Sequence, residues 1–214
     1  MVTVSQTLAI DGRPLGRRAQ ETRRRLLDAT GELLQSHGIR DVRVVEVART
    51  VGTSPATFYQ YFRSVDEAVL VLADELAEEL HPVAELLDMP WNGKGGLDAA
   101  RNLVDGYFRY WDRHRAVMRV RNLAADEGDQ RFRDVRNRTL GAVTDRIARA
   151  VAENQKAGRV PSEITPYSAA AAMVSMMERM ATYHYDLEPR GVTRADLVET
   201  TARILHQTVT GRKI

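Results

Sequence analysis

The sequence contains no cysteine. This absence excludes a thiol nucleophile, a CxxC redox pair, a thiolate zinc site and any disulfide framework. A chain of 214 residues can still bury about 70% of the surface that its unfolded form exposes, so it needs no disulfide or metal to fold. We therefore expect a soluble globular protein, and its lack of cysteine is typical of a reducing cytoplasm.

Long apolar runs are also missing. The first 20 residues include Asp11, Arg13, Arg17 and Arg18 and have no apolar core, which argues against a secretory signal peptide. The longest stretch of low polarity, residues 167–177, has about half the ~20 residues that a helix needs to cross a bilayer. These absences predict a cytoplasmic protein with no membrane partner.

The sequence patterns of catalytic and metal sites are absent as well. The five histidines have no metal-binding spacing, and neither HExxH nor GxSxG occurs. Residues 93–96, Gly-Lys-Gly-Gly, lack the spacing of a Walker motif and its Ser or Thr. We therefore expect no enzyme activity, no catalytic residue, no metal and no cofactor.

Lysine is scarce, with three residues against 28 arginines, a bias typical of a GC-rich genome. The net charge of +2 is unevenly distributed. Residues 1–63 contain ten arginines and six acids, a net charge of +4, whereas the rest contains 21 basic and 23 acidic residues, a net charge of −2. A basic N-terminal part indicates a polyanionic partner, although chance clustering on a solvated surface explains the same numbers.

Helical periodicity runs through the chain, and no alternation of β-branched residues is long enough for a sheet. The pattern predicts a loop at 88–96 and helices over residues 17–37, 44–51, 55–62, 64–80, 97–112, 115–125, 129–157, 163–186 and 193–210. Residues 1–16 have no periodicity and are predicted to be a disordered arm. We expect an all-α fold with an N-terminal helix-turn-helix three-helix domain over 17–63 and a C-terminal helical domain over 64–214.

Two short helices joined by a glycine-containing turn, within the basic part, indicate a helix-turn-helix. Ser54 is predicted to cap the third helix and Pro55 to begin it, where the missing N–H costs nothing. Phe58 and Phe62 are four residues apart and can anchor this helix to its own core. An ordinary helical corner with aromatic core residues would have the same pattern.

Residues 45–69 resemble the DNA-binding signature of the TetR/AcrR family of bacterial one-component repressors. The matching positions are Ala48, Gly52, Ser54, Thr57, Tyr59, Tyr61, Phe62, Ser64 and Glu67. The resemblance covers residues 17–69 and implies a homodimer that binds double-stranded operator DNA. Two later stretches, residues 114–117 and 177–179, are similar to an actinobacterial branch of this family.

The resemblance also implies roles for individual residues. Residues 55, 56 and 59 lie where the family reads bases, and residues 53, 57, 60 and 61 lie at or beside its phosphate contacts. Arg43 stands where the family often has a capping Ser or Thr, and Val65 stands where it often has Lys, so Arg43 and Arg63 are expected to supply the missing charge. The expected DNA-binding residues are Arg43, Thr53, Ser54, Pro55, Ala56, Thr57, Tyr59, Gln60, Tyr61 and Arg63.

In the family, a ligand in the C-terminal domain shifts the first helix after the DNA-binding domain. The two recognition helices must sit about 34–36 Å apart to enter successive major grooves, so a small shift releases the DNA. Methionines spaced as one helix face and a cluster of aromatic residues favour a small lipophilic effector, although plain core or dimer contacts explain them equally well. The expected ligand-binding residues are Tyr107, Phe108, Trp111, Met118, Met173, Met176, Met177, Met180 and Tyr183.

The last two predicted helices resemble the dimerisation pair of the family. The final helix has a stripe of apolar and small residues that would be a liability if it were exposed on a monomer, so pairing of two copies into a four-helix bundle is expected. The stripe consists of Leu197, Thr201, Ile204, Leu205 and Thr208. We therefore expect a homodimeric repressor released by an effector. A DNA-binding regulator that has no small-molecule ligand, or that is controlled by a protein partner, is the alternative.

Overall fold

The computed structural model describes residues 9–10, 12–89, 91–93 and 95–212. These residues contain no β-strand, which confirms the all-α prediction. Short 3₁₀ helices lie at Leu86–Asp88 and Glu188–Arg190. The α-helices are α1 (Arg17–Ser36), α2 (Val44–Val51), α3 (Pro55–Tyr59), α4 (Val65–Glu79), α5 (His81–Glu85), α6 (Gly96–Asp126), α7 (Gln130–Lys156), α8 (Pro166–Leu187) and α9 (Arg194–Thr210).

The predicted helix boundaries differ from the structure at several places, and α8, for example, begins at Pro166 rather than at residue 163. Helix α3 ends at Tyr59 rather than at residue 62, and the unpredicted helix α5 lies between α4 and the loop. The predicted helices over 97–112 and 115–125 are one element, α6, which is kinked where the break was expected. His114 has φ −114° and ψ 15° there, outside the helical region, while the helix continues on both sides.

The chain divides into two compact units. The N-terminal unit consists of the described residues up to Glu75 together with Ala116–Val135, and the C-terminal unit consists of Leu76–Arg115 and the described residues from Arg136 onward. Helices α4, α6 and α7 therefore each contribute to both units. The predicted domain boundary between residues 63 and 64 stays a prediction. Residues 1–8 and 11 of the predicted arm lie outside the described residues.

The N-terminal unit has a dense apolar core that includes both helices of the helix-turn-helix. Its fully or almost fully buried residues include Leu26, Leu27, Val47, Ala48, Phe58, Phe62, Ala68, Val69, Ala73 and Phe132. Helix α1 contributes two adjacent leucines, and α2 contributes residues 47, 48 and 51 from a single face. Their burial supplies the stabilisation that such short helices lack on their own, because helices of fewer than about 12 residues are marginal in water.

The turn between α2 and α3 depends on one glycine. Gly52 has φ +73°, a left-handed conformation that side chains disfavour. Its N–H donates to Arg49 O at 3.0 Å, and the N–H of Thr53 donates to Ala48 O at 2.9 Å. These two bonds form a Schellman motif, which satisfies the last carbonyls of α2 and reverses the chain toward α3.

An arginine of α1 supports the same turn. Arg25 donates from Nη2 to the carbonyl oxygen of Val51 at 2.6 Å. Val51 is the last residue of α2, where the helix dipole is negative and a guanidinium is favoured. Arg25 therefore joins α1 to the C-terminal end of α2, directly before the turn at Gly52.

The C-terminal unit connects its helices by polar contacts as well as by its core. Arg101 of α6 forms a bidentate pair with Glu199 of α9 at 2.6 and 2.8 Å. Arg194 of α9 binds Asp105 of α6 at 2.7 Å. Partial burial disfavours the ionised form of Asp105, but hydrogen bonds from Arg109 and Arg194 outweigh this cost and lower the pKa of Asp105.

The kink in α6 is tied to the end of α4. His114 Nε2 lies 2.9 Å from Glu79 Oε2, and the hydroxyl of Tyr110 donates to the carbonyl oxygen of Leu76 at 2.9 Å. Burial lowers the pKa of His114, against the opposing effect of Glu79.

Across the described residues, every helix is too short or too polar to pass through a bilayer.

Replacing Gly52 by Ala should destabilise the protein by about 1 kcal/mol, because alanine is less stable than glycine in the left-handed backbone conformation. Its added Cβ meets no atom within 4 Å, so the destabilisation has no steric component. Gly141→Ala is the matched control, since Gly141 lies inside α7 and its Cβ also meets nothing. That substitution should stabilise the protein by about 0.5–1 kcal/mol. Urea denaturation measures the free energy of unfolding of both variants. A change of the same sign in both would contradict this role of Gly52.

Replacing Arg25 by Met should lower the free energy of unfolding by about 1–2 kcal/mol, because the Val51 carbonyl loses a charge-assisted hydrogen bond. Arg40→Met is the control for loss of charge, since the Arg40 side chain is 84% exposed and its acidic partner is 3.6 Å away. An exposed pair of that kind contributes at most about 1 kcal/mol and often nothing measurable. Equal destabilisation of the two variants would show that Arg25 does not act through Val51.

Candidate nucleic-acid interface

Helix α3 is shaped by a cap at one end and by two phenylalanines. Ser54 Oγ accepts a hydrogen bond from the Thr57 N–H at 3.3 Å, and Pro55 occupies the first helical position. Phe58 and Phe62 are fully buried, with ring centroids 5.4 Å apart. The cap and the phenylalanine anchors are therefore as predicted, and they fix which side of α3 faces outward.

The early end of α3 has a local cause. After Tyr59 the backbone tightens, because the N–H of Gln60 donates to Thr57 O and the N–H of Tyr61 donates to Phe58 O. The chain must then turn into α4, where Ser64 Oγ accepts from the N–H of Glu67 at 3.2 Å. Phe62 still reaches the core, so the shorter helix keeps both anchors.

The predicted base-reading residues lie together on the outer side of α3. Pro55, Ala56 and Tyr59 are exposed, and Tyr59 has 52% of its surface accessible. Ser54 and Gln60 are exposed as well, while Thr53, Thr57 and Tyr61 are half-buried. The N-terminal part of α3 thus presents short side chains, next to polar groups that can donate to phosphate oxygens.

The two arginines expected to supply phosphate charge are both exposed. Arg43 occupies the N-cap of α2, where its backbone N–H donates to Glu46 Oε2 at 3.3 Å. A guanidinium has no acceptor and cannot cap a helix as serine does, so its charge remains available to another group. Arg63 lies between α3 and α4, and its backbone N–H donates to Glu67 Oε2 at 2.5 Å.

Three arginines of α1 that sequence reasoning counted only as charge have structural roles. Arg25 binds Val51, as described above. The Arg23 guanidinium lies over the ring of Phe62, 5.1 Å from its centroid, and Arg24 pairs with Glu75 of α4 at 2.6 Å. Their position directly before the buried pair Leu26–Leu27 was the available signal, because residues beside a buried face can reach neighbouring elements. Part of the +4 charge therefore stabilises the fold.

The predicted ligand residues have different environments. Tyr107, Phe108 and Trp111 are buried on α6, and Met177 is buried on α8. Tyr183 is 38% exposed and has the Arg179 guanidinium 3.8 Å from its ring centroid. The other residues of the set fall into two groups. Met118 is buried in the N-terminal unit, and Met173, Met176 and Met180 are half-buried.

The four methionines of α8 do not form one buried face. The buried stripe of α8 consists of Ala170, Val174, Met177, Ala181 and His184. This stripe is centred between Val174 and Met177, so the other three methionines lie beside it, where they are only half-covered.

The predicted dimerisation stripe of α9 is divided in the same way. Leu197, Thr201 and Leu205 are buried within the single chain, so the expectation that they need a second copy to cover them is wrong. These residues face the core of their own unit. Ile204 is 39% exposed and Thr208 is half-buried. On α8, Tyr167 is 57% exposed, and Ala172 and Ser175 also lie outward.

Two family descriptions match the chain. "Bacterial regulatory proteins, tetR family" matches residues 26–69, and "Tetracyclin repressor-like, C-terminal domain" matches residues 83–214. The first match contains α2, α3 and the turn between them, and the second contains the larger part of the C-terminal unit. The uncharacterised HTH-type transcriptional regulator YdgC of Bacillus subtilis is 23% identical over 167 residues, which are 75% of this chain and 79% of that protein.

Solved structures share the fold over almost the whole chain. A TetR-family transcriptional regulator from Streptomyces coelicolor has a TM-score of 0.67 at 18% identity, covering 92% of this chain and 84% of that chain. The fatty acid degradation regulator FadR from Bacillus halodurans has a TM-score of 0.63 at 16% identity, covering 93% of this chain and 97% of that chain. Because the C-terminal family match alone spans more than half of the sequence, this chain belongs to the TetR family of bacterial DNA-binding transcriptional regulators.

Proposed function

We propose that this regulator represses transcription as a homodimer, with α3 of each protomer in the major groove of operator DNA, and that a small lipophilic effector releases it. The observation that carries the DNA-binding part is the orientation of α3. Phe58 and Phe62 are buried and hold the helix against the core, while Pro55, Ala56 and Tyr59 are exposed. A helix held in this way presents its N-terminal residues to base edges.

The side chains on α3 favour a particular kind of readout. Pro55 and Ala56 have no hydrogen-bonding groups in their side chains, so they suit contact with thymine methyl groups. Thr53, Ser54, Thr57, Gln60 and Tyr61 carry donors for phosphate oxygens, which position the protein without reading sequence. Arg43 and Arg63 add the charge that this set lacks.

The effector part of the proposal is supported by the interior of the C-terminal unit. Trp111 is fully buried, and among the described residues its indole Nε1 has no hydrogen-bond partner. An indole nitrogen can only donate, and a buried donor without a partner is costly. Tyr107 and Phe108 precede Trp111 by one turn of α6, which makes the surroundings aromatic. An effector with an apolar body and one acceptor oxygen fits this donor.

The homodimer part is supported by the outward faces of α8 and α9. Tyr167, Ala172 and Ser175 on α8 and Ile204 on α9 are exposed. Small residues on α8 permit close approach of a second helix pair, and the exposed tyrosine and isoleucine are apolar area that pairing would bury. Two α3 helices held about 34 Å apart by such a dimer would match successive turns of the major groove.

Replacing Arg43 by Ala should weaken operator binding and reduce the salt slope of log K by about one unit for each phosphate that is no longer neutralised. Genome-wide recovery of bound DNA supplies the operator, and fluorescence anisotropy across salt concentrations measures the slope. Arg190→Ala, at an exposed arginine of the C-terminal unit, is the control and should leave the slope unchanged. If Arg43→Ala keeps the wild-type slope, Arg43 does not contact phosphate.

Replacing Trp111 by Phe should weaken binding of effectors that carry an acceptor oxygen by about tenfold, the value of one hydrogen bond near 1.4 kcal/mol. A lipophilic compound set, screened by thermal shift, supplies the effectors. Trp91→Phe is the matched control, because the Trp91 indole already donates to Leu87 O at 3.2 Å. Compounds without an acceptor should bind wild type and Trp111→Phe alike.

The same effectors are then added to the preformed operator complex. We expect release of DNA at concentrations near each effector's dissociation constant, since a ligand shifts an equilibrium only by its differential affinity for the two states. A compound that binds tightly and leaves operator affinity unchanged would refute effector-gated repression, while DNA binding by α3 would stand.

A further inference from the structure

The backbone ahead of α1 is attached to the end of the recognition helix. The N–H of Ile10 donates to the carbonyl oxygen of Gln60 at 3.3 Å, and Gln60 is the residue that follows the last turn of α3. We call residues 9–10 and 12–16 the arm segment. It meets the C-terminal end of α3 at the backbone of Gln60, and Tyr59 and Gln60 are both exposed.

The arm segment has a compact local structure of its own. The N–H of Gly12 donates to Ala9 O and the N–H of Ala9 donates to Arg13 O, both at 2.9 Å, and Gly12 has φ +81°. The segment is joined to α1 through Gln20, whose side-chain amide donates to Leu15 O at 2.9 Å. Its path between α3 and α1 is therefore fixed by hydrogen bonds at both ends.

The arm segment and the first turn of α1 carry an exposed positive charge. Arg13, Arg17 and Arg18 are exposed, and residues 9–18 contain only one acid, Asp11. The first turn of α1 has no acidic residue. The Arg17 side chain is 92% exposed and pairs with Glu21 of its own helix at 3.0 Å. Such exposed pairs contribute about 0.3–0.5 kcal/mol, so Arg17 can exchange this partner for another anion at little cost.

We propose that the arm segment and the first turn of α1 are a second DNA-contacting element, in which Arg13, Arg17 and Arg18 bind phosphates of the duplex flanking the bases that α3 faces. This inference rests on the proposed placement of α3 in the major groove. A groove is bordered on both sides by phosphates, which occur once per about 1.7 Å of helix axis. A basic element bonded to the end of a helix in the groove then lies beside one of these borders.

The chemistry of the partner follows from the residues. The three arginines offer guanidinium groups, which bind phosphates well, and contacts to phosphates carry no sequence information. The element would therefore raise affinity for duplex DNA without adding sequence preference. It would also extend the length of DNA that one protomer protects beyond the part that α3 covers.

The test compares two triple variants with the same change of charge. One is Arg13→Ala/Arg17→Ala/Arg18→Ala, and the other is Arg113→Ala/Arg149→Ala/Arg190→Ala at exposed arginines of the C-terminal unit. The salt slope of log K is measured by anisotropy on the recovered operator. For the first variant, the slope should become shallower by about two to three units per protomer. Its affinity should weaken at least tenfold at about 150 mM salt. The second should differ little from wild type.

A second measurement uses operator fragments with flanking base pairs removed stepwise. Wild type should lose affinity when the flanks are shortened, and the Arg13/Arg17/Arg18 variant should not, because it no longer uses them. If the slope falls equally in both triple variants, or if the first keeps the wild-type slope, the arm does not bind DNA. If α3 does not contact DNA, the proposed function itself is overturned. Tyr59→Ala identifies that outcome, because it would then leave the affinity for the operator unchanged.

Discussion

The burial of Phe58 and Phe62 is the contact on which the proposed DNA-binding surface depends. Helix α3 has only five residues, far fewer than the roughly 12–15 that a helix needs to be even marginally stable alone in water. Its shape is therefore imposed by what it packs against. The two phenylalanines fix its rotation about its own axis, and the serine cap and the proline fix its beginning. The exposed face is a consequence of these internal contacts, so substitutions in the core can alter DNA binding without touching an exposed residue.

Five arginines of the N-terminal unit fall into two groups with different physical tasks. Arg23, Arg24 and Arg25 bind other parts of the unit: the ring of Phe62, Glu75 and the carbonyl oxygen of Val51. Arg43, at the N-cap of α2, and Arg63, between α3 and α4, are exposed, and a polyanion can approach them. A net charge counts both groups equally, although the first is already engaged by the protein. The contacts of each arginine with other helices are therefore a better guide to nucleic-acid binding than the total charge.

Sequence reasoning predicted most of the helices, the glycine turn and the anchors of α3, because each has a local signal. Periodicity identifies the buried face of a helix. It also predicted a break at residues 113–114, where the structure has a kink within one helix. The early end of α3 and the presence of α5 could not be predicted, since both depend on how the chain turns into its next element. The α9 stripe was correctly identified as apolar, but periodicity cannot tell whether the covering partner is the same chain or a second copy. For Leu197, Thr201 and Leu205 it is the same chain. The proposed base contacts came from the family signature and not from periodicity.

The N-terminal unit is discontinuous in sequence, and this limits how such a protein can be divided or recombined. Its core includes Phe132, and the unit takes in residues 116–135, which lie after a long excursion into the other unit. A fragment that stops after α4 would carry the whole helix-turn-helix but leave part of its apolar surface uncovered. Exchange of the whole C-terminal unit between relatives by recombination would need crossovers near residues 75, 115 and 135. Point substitution is therefore an easier evolutionary route to an altered C-terminal unit than its exchange as a block.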